Sequence, residues 1–382
     1  MRTCAVIAEY NPFHNGHLHH IRKTREITGA ENLAAIMSGN FVQRGEPAIR
    51  DKFARERMAL QNGVDLVIEL PVYYAAQSAG YFAGGAVALA EKSGICDSIS
   101  FGSETGDLAG LKLAAGKPEE SGALKSSLKA GKSFARALGE AAGLPLNPND
   151  VLAVEYLRAV KTLVPFAVKR TAEHNAGEIS GGFSSAAAIR RAFRKSPESA
   201  APAMPEDCFA LLKNGPANRL ENYFGILSFI LASKTAAELR EIQGVGEGLE
   251  NRLAGLIPGA GCMESFIAAV KTKRYAFASI QRVILHIILD MKKREAALYK
   301  NAPRYIRVLG FRREKAGLLR ELTEKSALPV ITNLKNAPKL LDPDAMAMLK
   351  FEISCGDIYN LGLGVTGRPL KNHEYSEPMV IV

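Results

Sequence analysis

The sequence lacks the features that mark secreted, zinc-ribbon and membrane-spanning proteins. Its five cysteines are scattered and include no CxxC pair, so neither a disulfide framework nor a zinc ribbon is expected, and a reducing cytoplasm is the favoured location. No run of about 18 apolar residues occurs, which argues against a membrane-spanning helix. Polar residues arrive by Glu9, so we expect no signal peptide.

Acidic residues are outnumbered by basic ones. The chain has 49 lysines and arginines against 39 aspartates and glutamates, a formal net charge of +10. This balance favours a polyanionic partner. A hydrophobic content of 47% rules out wholesale disorder, and the length of 382 residues suggests two domains.

The first half of the chain alternates short apolar runs with segments of helical periodicity. Strands are expected at five places, over residues 2–8, 33–37, 64–70, 98–101 and 164–169. Helices are expected between them, over 18–28, 51–62, 75–93, 107–145 and 149–162. This alternation predicts an α/β fold with a doubly wound parallel sheet, in which ligands bind at the carboxyl ends of the strands.

The second half has a different character. Residues 195–206 are rich in proline, serine and alanine and are interpreted as a linker, whereas 207–300 shows helical periodicity throughout. The remaining tail has two short strand-like runs, over 305–309 and 328–331. We therefore predict a catalytic domain over 1–195 and a mainly helical, basic domain with a small β-containing tail over 196–382.

The most informative segment is AEYNPFHNGHLHH, residues 8–20, which places an HxGH element between a strand and a helix. Two histidines three residues apart at a helix start project to one side, beside free backbone N–H groups that attract phosphate. Such imidazoles can stabilise the charge that develops on an α-phosphate, so His14 and His17 are the candidate catalytic residues. The alternative, a solvated histidine-rich turn, explains neither the preceding strand nor the following helix.

Four motifs together carry a family resemblance. They are EYNPFHNGH (9–17), MSGNFVQRGEPA (37–48), GVDLVIELP (63–71) and FGSE (101–104). The set resembles the bacterial tRNA(Met) cytidine acetate ligase family of the HIGH-motif nucleotidyltransferase superfamily. The resemblance extends to VKTKRYAFASIQR (270–282) and YIRVLGF (305–311), and so spans most of the chain.

The resemblance implies a Rossmann-like HIGH nucleotidyltransferase domain and a two-step reaction. ATP and acetate would form acetyl-adenylate and pyrophosphate, and the acetyl group would pass to N4 of the wobble cytidine in elongator tRNA(Met), giving N4-acetylcytidine. ATP is then a substrate, Mg²⁺ would accompany its phosphates, no tightly bound metal is expected, and the enzyme would act in the cytoplasm without a membrane.

The resemblance also implies the ATP-binding residues. One loop would hold the adenine and the phosphates, and it comprises Ile7, Ala8, Glu9, Tyr10, Asn11, Pro12, Phe13, His14, Asn15, Gly16, His17, Leu18, His19 and His20. Gly102, Asn149 and Arg170 would complete the site. The superfamily often holds a phosphate at a later helix start, which matches Ser184 and Ser185 here.

A basic segment in the second half is the candidate tRNA-binding surface. Lys271, Lys273, Arg274 and Arg282 interleave with aromatic residues, as expected of an RNA-backbone footprint. A solvated helix face is the alternative interpretation. For the whole chain, two other functions stay open: a small-molecule adenylyltransferase of the same superfamily, and a non-catalytic RNA-binding protein.

Overall fold

The computed structural model describes residues 2–117, 134–170, 182–272, 275–300, 302–364 and 371–382. The strands are β1 (Thr3–Ala8), β2 (Asn32–Ser38), β3 (Phe41–Val42), β4 (Glu46–Pro47), β5 (Leu66–Leu70), β6 (Ser98–Ser103), β7 (Val164–Lys169), β8 (Ile306–Phe311), β9 (Val330–Ile331) and β10 (Val380–Ile381).

The α-helices are α1 (Asn15–Thr28), α2 (Lys52–Gln61), α3 (Val72–Ala75), α4 (Ala79–Lys92), α5 (Leu108–Ala115), α6 (Phe134–Ala142), α7 (Pro148–Ala159), α8 (Ala186–Lys195), α9 (Glu206–Lys213), α10 (Phe224–Ser233), α11 (Ala236–Arg240), α12 (Leu249–Leu256), α13 (Met263–Val270), α14 (Phe277–Leu289), α15 (Lys293–Leu298), α16 (Ala316–Lys325), α17 (Ala337–Leu340) and α18 (Pro343–Leu363). Short 3₁₀ helices cover Pro197–Ala203, Leu220–Tyr223, Ile257–Gly259, Arg313–Lys315, Leu334–Asn336 and His373–Tyr375.

The main sheet is built on five parallel strands in the order β5-β2-β1-β6-β7. Helices cover both faces, so the central strands are buried on both sides, and every residue of β2 is buried. The strand order reverses beside β1, which opens a crevice at the carboxyl ends of β1 and β6. The predicted α/β fold with a doubly wound parallel sheet is confirmed, and each of the five expected strands is present.

Local signals in the sequence define the helix that follows β1. Helix α1 begins after His14, whose side chain accepts a hydrogen bond from the backbone N–H of Gly16, and it ends at Gly29, which adopts a left-handed conformation with φ 62°. Helix α7 begins at Pro148, after its cap Asn147, one residue before the start expected at 149. Within the described ranges, no helix combines the length and the apolar character needed to cross a bilayer.

The C-terminal tail joins the sheet of the first half. Strand β8 pairs antiparallel with β5, and β9 and β10 both pair parallel with β8. The sequence places the strand-like run at 305–309 in a tail of the second domain, and it does not indicate this pairing. The division into domains at about residue 195 stays a prediction, with the main sheet drawing strands from both sides of it.

A buried ionic cluster ties the tail to the sheet. The Lys52 ammonium lies 2.7 Å from the Glu374 carboxylate, and the Arg307 guanidinium lies 3.0 Å from Glu69. Burial opposes charge on Glu374, but Lys52 and Arg307 lower the pKa of its carboxyl. Removing one partner of such a cluster typically costs about 3–5 kcal/mol, because a buried charge is left uncompensated.

Candidate active site

A cavity of about 720 Å³ opens at the carboxyl ends of the central strands. Its walls come from the loop after β1, from the ends of β6 and β7, and from the first turns of α1, α7, α8 and α14. Thirteen of the predicted ATP-binding residues line it: Ile7, Ala8, Glu9, Tyr10, Asn11, His14, Gly16, His17, His19, His20, Gly102, Asn149 and Arg170. The fold therefore brings together residues separated by more than 160 positions in the sequence.

Four predicted ATP-binding residues do not line the cavity: Pro12, Phe13, Asn15 and Leu18. Phe13 is fully buried, and its ring centroid lies 5.5 Å from that of His17. The Asn15 side-chain amide donates to the carbonyl of Gly182 at 2.8 Å. Phe13 and Asn15 therefore support the loop that carries His14 and His17, and they do not line the cavity.

His14 and His17 both use Nδ1 to accept a backbone hydrogen bond. The N–H of Gly16 donates to His14 Nδ1 at 3.0 Å, and the N–H of His14 donates to His17 Nδ1 at 3.2 Å. The two rings stack with centroids 3.8 Å apart. Because Nδ1 is the acceptor, the proton of each neutral ring sits on Nε2. Each imidazole therefore has a hydrogen-bond donor, Nε2–H, that the loop does not use.

Both histidines are held in the neutral form. Burial, together with the charges of Arg170 and Arg190, lowers the pKa of His14 to about 3. Burial, with His14 and Arg170 nearby, lowers the pKa of His17 well below its usual value. The pair therefore offers neutral N–H donors at physiological pH, and it has no charge of its own that would have to be neutralised.

Gly16 is needed for the geometry of this helix start. A Cβ at Gly16 would lie 2.8 Å from Cε1 of the His14 ring, too close for any residue with a side chain. The glycine of the HxGH element thus lets the first histidine fold back and cap the helix.

His20 continues the polar wall one turn along α1. Its Nε2 lies 3.1 Å from the hydroxyl of Ser100 on β6, and that hydroxyl lies 2.7 Å from Thr24 Oγ1. Burial, with Arg170 and His19 nearby, lowers the pKa of His20 to about 4. This chain of contacts fixes α1 against β6 on one side of the crevice.

The FGSE motif and the start of α7 are joined by reciprocal hydrogen bonds. Glu104 accepts one bond from the side-chain amide of Asn149 and another, at 3.1 Å, from the backbone N–H of Asp150. Asp150 in turn accepts from the N–H of Glu104 at 3.0 Å and from the Ser103 hydroxyl at 2.6 Å. Since a carboxylate only accepts, Asn149 must point Nδ2 at Glu104, and no described residue donates to its Oδ1.

Cationic side chains dominate the charge of the cavity wall. Arg44, Lys169, Arg170 and Arg190 line it, against the two carboxylates of Glu9 and Glu46. Arg190 is pinned in place, because it donates to the carbonyl of Asn11 at 2.8 Å and pairs with Glu46. Arg170 Nε is buried and has no acceptor among the described residues. The wall therefore suits an anionic ligand.

The helix start predicted at Ser184 and Ser185 faces the same cavity. Ser185 is the cap of α8, and its hydroxyl accepts from the N–H of Ala188 at 3.2 Å. Ser185, Ala186 and Ala187 line the cavity with the free N–H groups of the first turn. At Gly102, a Cβ would lie 3.4 Å from Cγ of Arg170, which is an ordinary van der Waals distance, so contact with Arg170 does not by itself require a glycine there.

The second half of the chain contributes to the cavity, which sequence reasoning missed. Phe277, Ala278 and Gln281 of α14 line it. The turn between β3 and β4 packs closely against this helix. Its Gly45 has φ +77°, and a Cβ there would lie 2.4 Å from the backbone N of Arg282. The sequence signal is the aromatic and amide content of 270–282, which by itself indicates only an RNA surface.

The predicted tRNA-binding residues have different surroundings. Lys271 is exposed, just after α13. Arg282 is half-buried, its guanidinium 3.3 Å from the Ser279 hydroxyl, and burial lowers its pKa. Lys273 and Arg274 lie outside the described residues. An RNA role for the four remains a prediction.

Comparison with known proteins gives a consistent result. A family described as HIGH Nucleotidyl Transferase matches residues 1–372. The chain is 39% identical over 390 residues to the tRNA(Met) cytidine acetate ligase of Thermoanaerobacter sp. (strain X514), covering 94% of this chain and 95% of that one. It is 34% identical over 393 residues to the protein of the same name from Acetivibrio thermocellus, covering 94% of each.

Solved structures agree with these sequence matches. The crystal structure of Thermotoga maritima TmcAL bound with alpha-thio ATP superimposes with a TM-score of 0.91 at 32% identity, over 100% of both chains. The apo form of the same protein gives a TM-score of 0.92, also at 32% identity and over 100% of both chains. Similarity thus covers the sheet and the helical second half alike.

Proposed function

The chain belongs to the tRNA(Met) cytidine acetate ligase family, and from that premise we propose that it activates acetate with ATP and transfers the acetyl group to N4 of the wobble cytidine of elongator tRNA(Met). The observation that carries the proposal is the pair of neutral histidines, His14 and His17, on the wall of a cationic cavity, each with an Nε2–H that no described residue accepts.

In the first step, an oxygen of the acetate carboxylate attacks the α-phosphorus of ATP. A new P–O bond forms, the bond to the β-phosphate bridging oxygen breaks, and pyrophosphate leaves with that electron pair. Negative charge on the α-phosphate oxygens is greatest in the transition state. Donors from His14 and His17 that are already oriented stabilise this charge without reorganisation.

Neutral histidines suit this step better than charged ones. A neutral Nε2–H donor binds ground-state ATP less tightly than an imidazolium would, so more of its interaction is kept for the transition state. Arg170 and Arg190 supply the fixed positive charge. Burial is the main cause of the lowered pKa of both histidines, and Arg170 adds to it at each ring. No acyl-enzyme is required, because the mixed anhydride with AMP is itself the activated acid.

In the second step, the N4 amine attacks the carbonyl carbon of acetyl-adenylate. A C–N bond forms, the C–O bond to AMP breaks, AMP leaves with the electron pair, and N4 loses one proton to solvent. The cytosine has to be unstacked for this reaction, which an anticodon loop, already single-stranded, allows at low cost. We place the reaction in the cytoplasm, together with its tRNA substrate.

Mg²⁺ would enter with the phosphates of ATP. Of the two cavity carboxylates, Glu9 accepts a hydrogen bond from the N–H of Gln43 at 2.8 Å, and Glu46 pairs with Arg190. Among the residues that the structure describes, no three His, Cys, Asp or Glu side chains are grouped as a protein-held metal would require. Phosphate oxygens and water are therefore the proposed ligands, which is the coordination that Mg²⁺ prefers.

The test incubates the purified protein with tRNA(Met), ATP and isotopically labelled acetate, followed by mass spectrometry of the tRNA nucleosides. Labelled N4-acetylcytidine at the wobble position is the expected product. ATP–pyrophosphate exchange is measured in parallel, with and without acetate. Acetate-dependent exchange is expected in the absence of tRNA.

Two results would contradict the proposal. Exchange that requires another acceptor in place of acetate would favour a small-molecule adenylyltransferase. No exchange and no labelled nucleoside, with tRNA binding intact, would favour a non-catalytic RNA-binding protein.

A further inference from the structure

An aromatic side chain from the second half of the chain stands at the active-site cavity without belonging to the core. Phe277 is 44% exposed, and it is part of neither hydrophobic core cluster, although the rest of α14 is largely buried. Among the described residues, Phe183 and Phe229 are exposed to a similar or greater degree, and neither lines the cavity. Packing therefore does not explain the position of Phe277.

An unused amide lies on the same side of the helix. Gln281 is one turn after Phe277, so the two side chains are neighbours, and both line the cavity. No described residue hydrogen-bonds the Gln281 side chain. The backbone here is held by the turn at Gly45, which fits against Gln281 and Arg282 with no room for a Cβ. The helix start is thus a fixed part of the cavity wall.

This pairing of groups matches the chemistry of an unpaired base. Single-stranded nucleotides are bound by stacking on aromatic rings, with hydrogen bonds to the Watson–Crick edge. On cytosine that edge has two acceptors, O2 and N3, beside the N4 amine. Since N4 must face the acetyl group, only O2 and N3 remain for the protein to contact. An amide N–H₂ is a donor suited to both.

We propose that Phe277 and Gln281 form the docking platform for the acceptor cytosine, with Phe277 stacking on the base and Gln281 donating to O2 or N3. This inference rests on the function proposed above and goes beyond it, because it assigns a base-positioning role to two residues of α14. The sheet side of the cavity then activates acetate, and the helical side presents the base to it.

The experiment compares Phe277→Ala, Phe277→Leu and Phe277→Tyr in two assays: acetate-dependent ATP–pyrophosphate exchange without tRNA, and acetylation of tRNA(Met). Stacking of one base is typically worth a factor of about 5–150, so the ratio of acetylation to exchange should fall at least about fivefold in Phe277→Ala. Phe277→Leu should fall with it, since it keeps apolar bulk without a ring, and Phe277→Tyr should stay within about threefold of wild type. Phe229→Ala, on α10 and away from the cavity, is the matched control and should change neither assay.

The amide has its own test. Gln281→Glu replaces a donor with a group that only accepts when ionised, so it should lower acetylation more than Gln281→Ala does, again relative to exchange. The platform is refuted if Phe277→Ala leaves both activities at the wild-type level, or if acetylation and exchange fall in parallel, which would place Phe277 in the ATP site. Either outcome leaves the proposed function standing. That function fails separately, if the wild-type protein forms no N4-acetylcytidine.

Discussion

The double role of His14 allows its two nitrogens to be tested separately. Nδ1 accepts from the N–H of Gly16 and caps α1, whereas the loop leaves Nε2–H unused on a ring that lines the cavity. Asparagine is among the best capping residues, and its short side chain can accept the same bond without reaching into the cavity. His14→Asn therefore removes the catalytic donor and keeps the cap, whereas His14→Ala removes both.

The two variants should differ in stability but not in activity. Losing one preorganised donor to a developing oxyanion costs about 2.7–4 kcal/mol, or about 10²–10³ in kcat. We expect both variants to lose exchange activity by that factor. Only His14→Ala also loses the helix cap, which should lower its free energy of unfolding by ~0.5–2 kcal/mol.

The assays are acetate-dependent ATP–pyrophosphate exchange and urea unfolding of both variants beside wild type. If His14→Asn retains more than about a tenth of wild-type exchange, the Nε2–H donor is dispensable and the catalytic role of His14 is refuted. Equal losses of stability in the two variants would refute the capping argument instead. His17→Gln extends the series to the second ring and should also lose exchange by about 10²–10³.

Because the folded state lowers the pKa of His14 to about 3 from a usual 6.5, it binds that proton less readily than the unfolded chain, so the free energy of unfolding should fall as the pH drops from 6.5 towards 3. In His14→Asn this loss should be smaller by up to about 1.4 kcal/mol per pH unit. Urea unfolding between pH 6.5 and 4 measures it. If the free energy of unfolding depends on pH in His14→Asn as it does in wild type, the His14 ring is not held neutral. Glu104→Ala should raise the KM for ATP in the exchange assay by about 10–100-fold, since Asn149 loses the carboxylate that orients its amide, and an unchanged KM would contradict that role. Charge reversal at Lys271, Lys273 and Arg274 should weaken tRNA binding and leave exchange unaffected. The slope of log affinity against log salt should flatten by about 0.7–0.9 for each phosphate that is no longer neutralised. A merely solvated segment would leave both the affinity and this slope as in wild type.

Much of the fold was readable in the sequence because its signals are local. An apolar run that is buried on both faces marks a parallel strand whatever its neighbours are, and all five expected strands exist. The HxGH element could also be predicted from the sequence, since the unpaired backbone N–H groups of a helix start lie within four consecutive residues. The expectation that ligands bind at the carboxyl ends of the strands follows from the alternation of strands and helices alone.

Features that depend on contacts between distant segments of the chain could be found only in the folded structure. The run at 305–309 predicts a strand from its own composition, but only the folded chain shows β8 beside β5, because strand pairing leaves no periodic trace in either segment. The neutral state of His14 likewise required burial and the approach of Arg170 and Arg190, which lie more than 150 residues further along the chain.

Local sequence patterns identify the residues that could stabilise a phosphate and the kind of sheet that carries them. The shape of the site depends on how the chain folds, which brings Phe277 and Gln281 of α14 to the cavity and keeps Phe13 and Asn15 out of its wall. The physical reason is that hydrogen-bonding capacity and backbone preference belong to single residues and their near neighbours. The enclosure of a cavity depends on how remote segments pack against each other, and a linear pattern does not encode that directly.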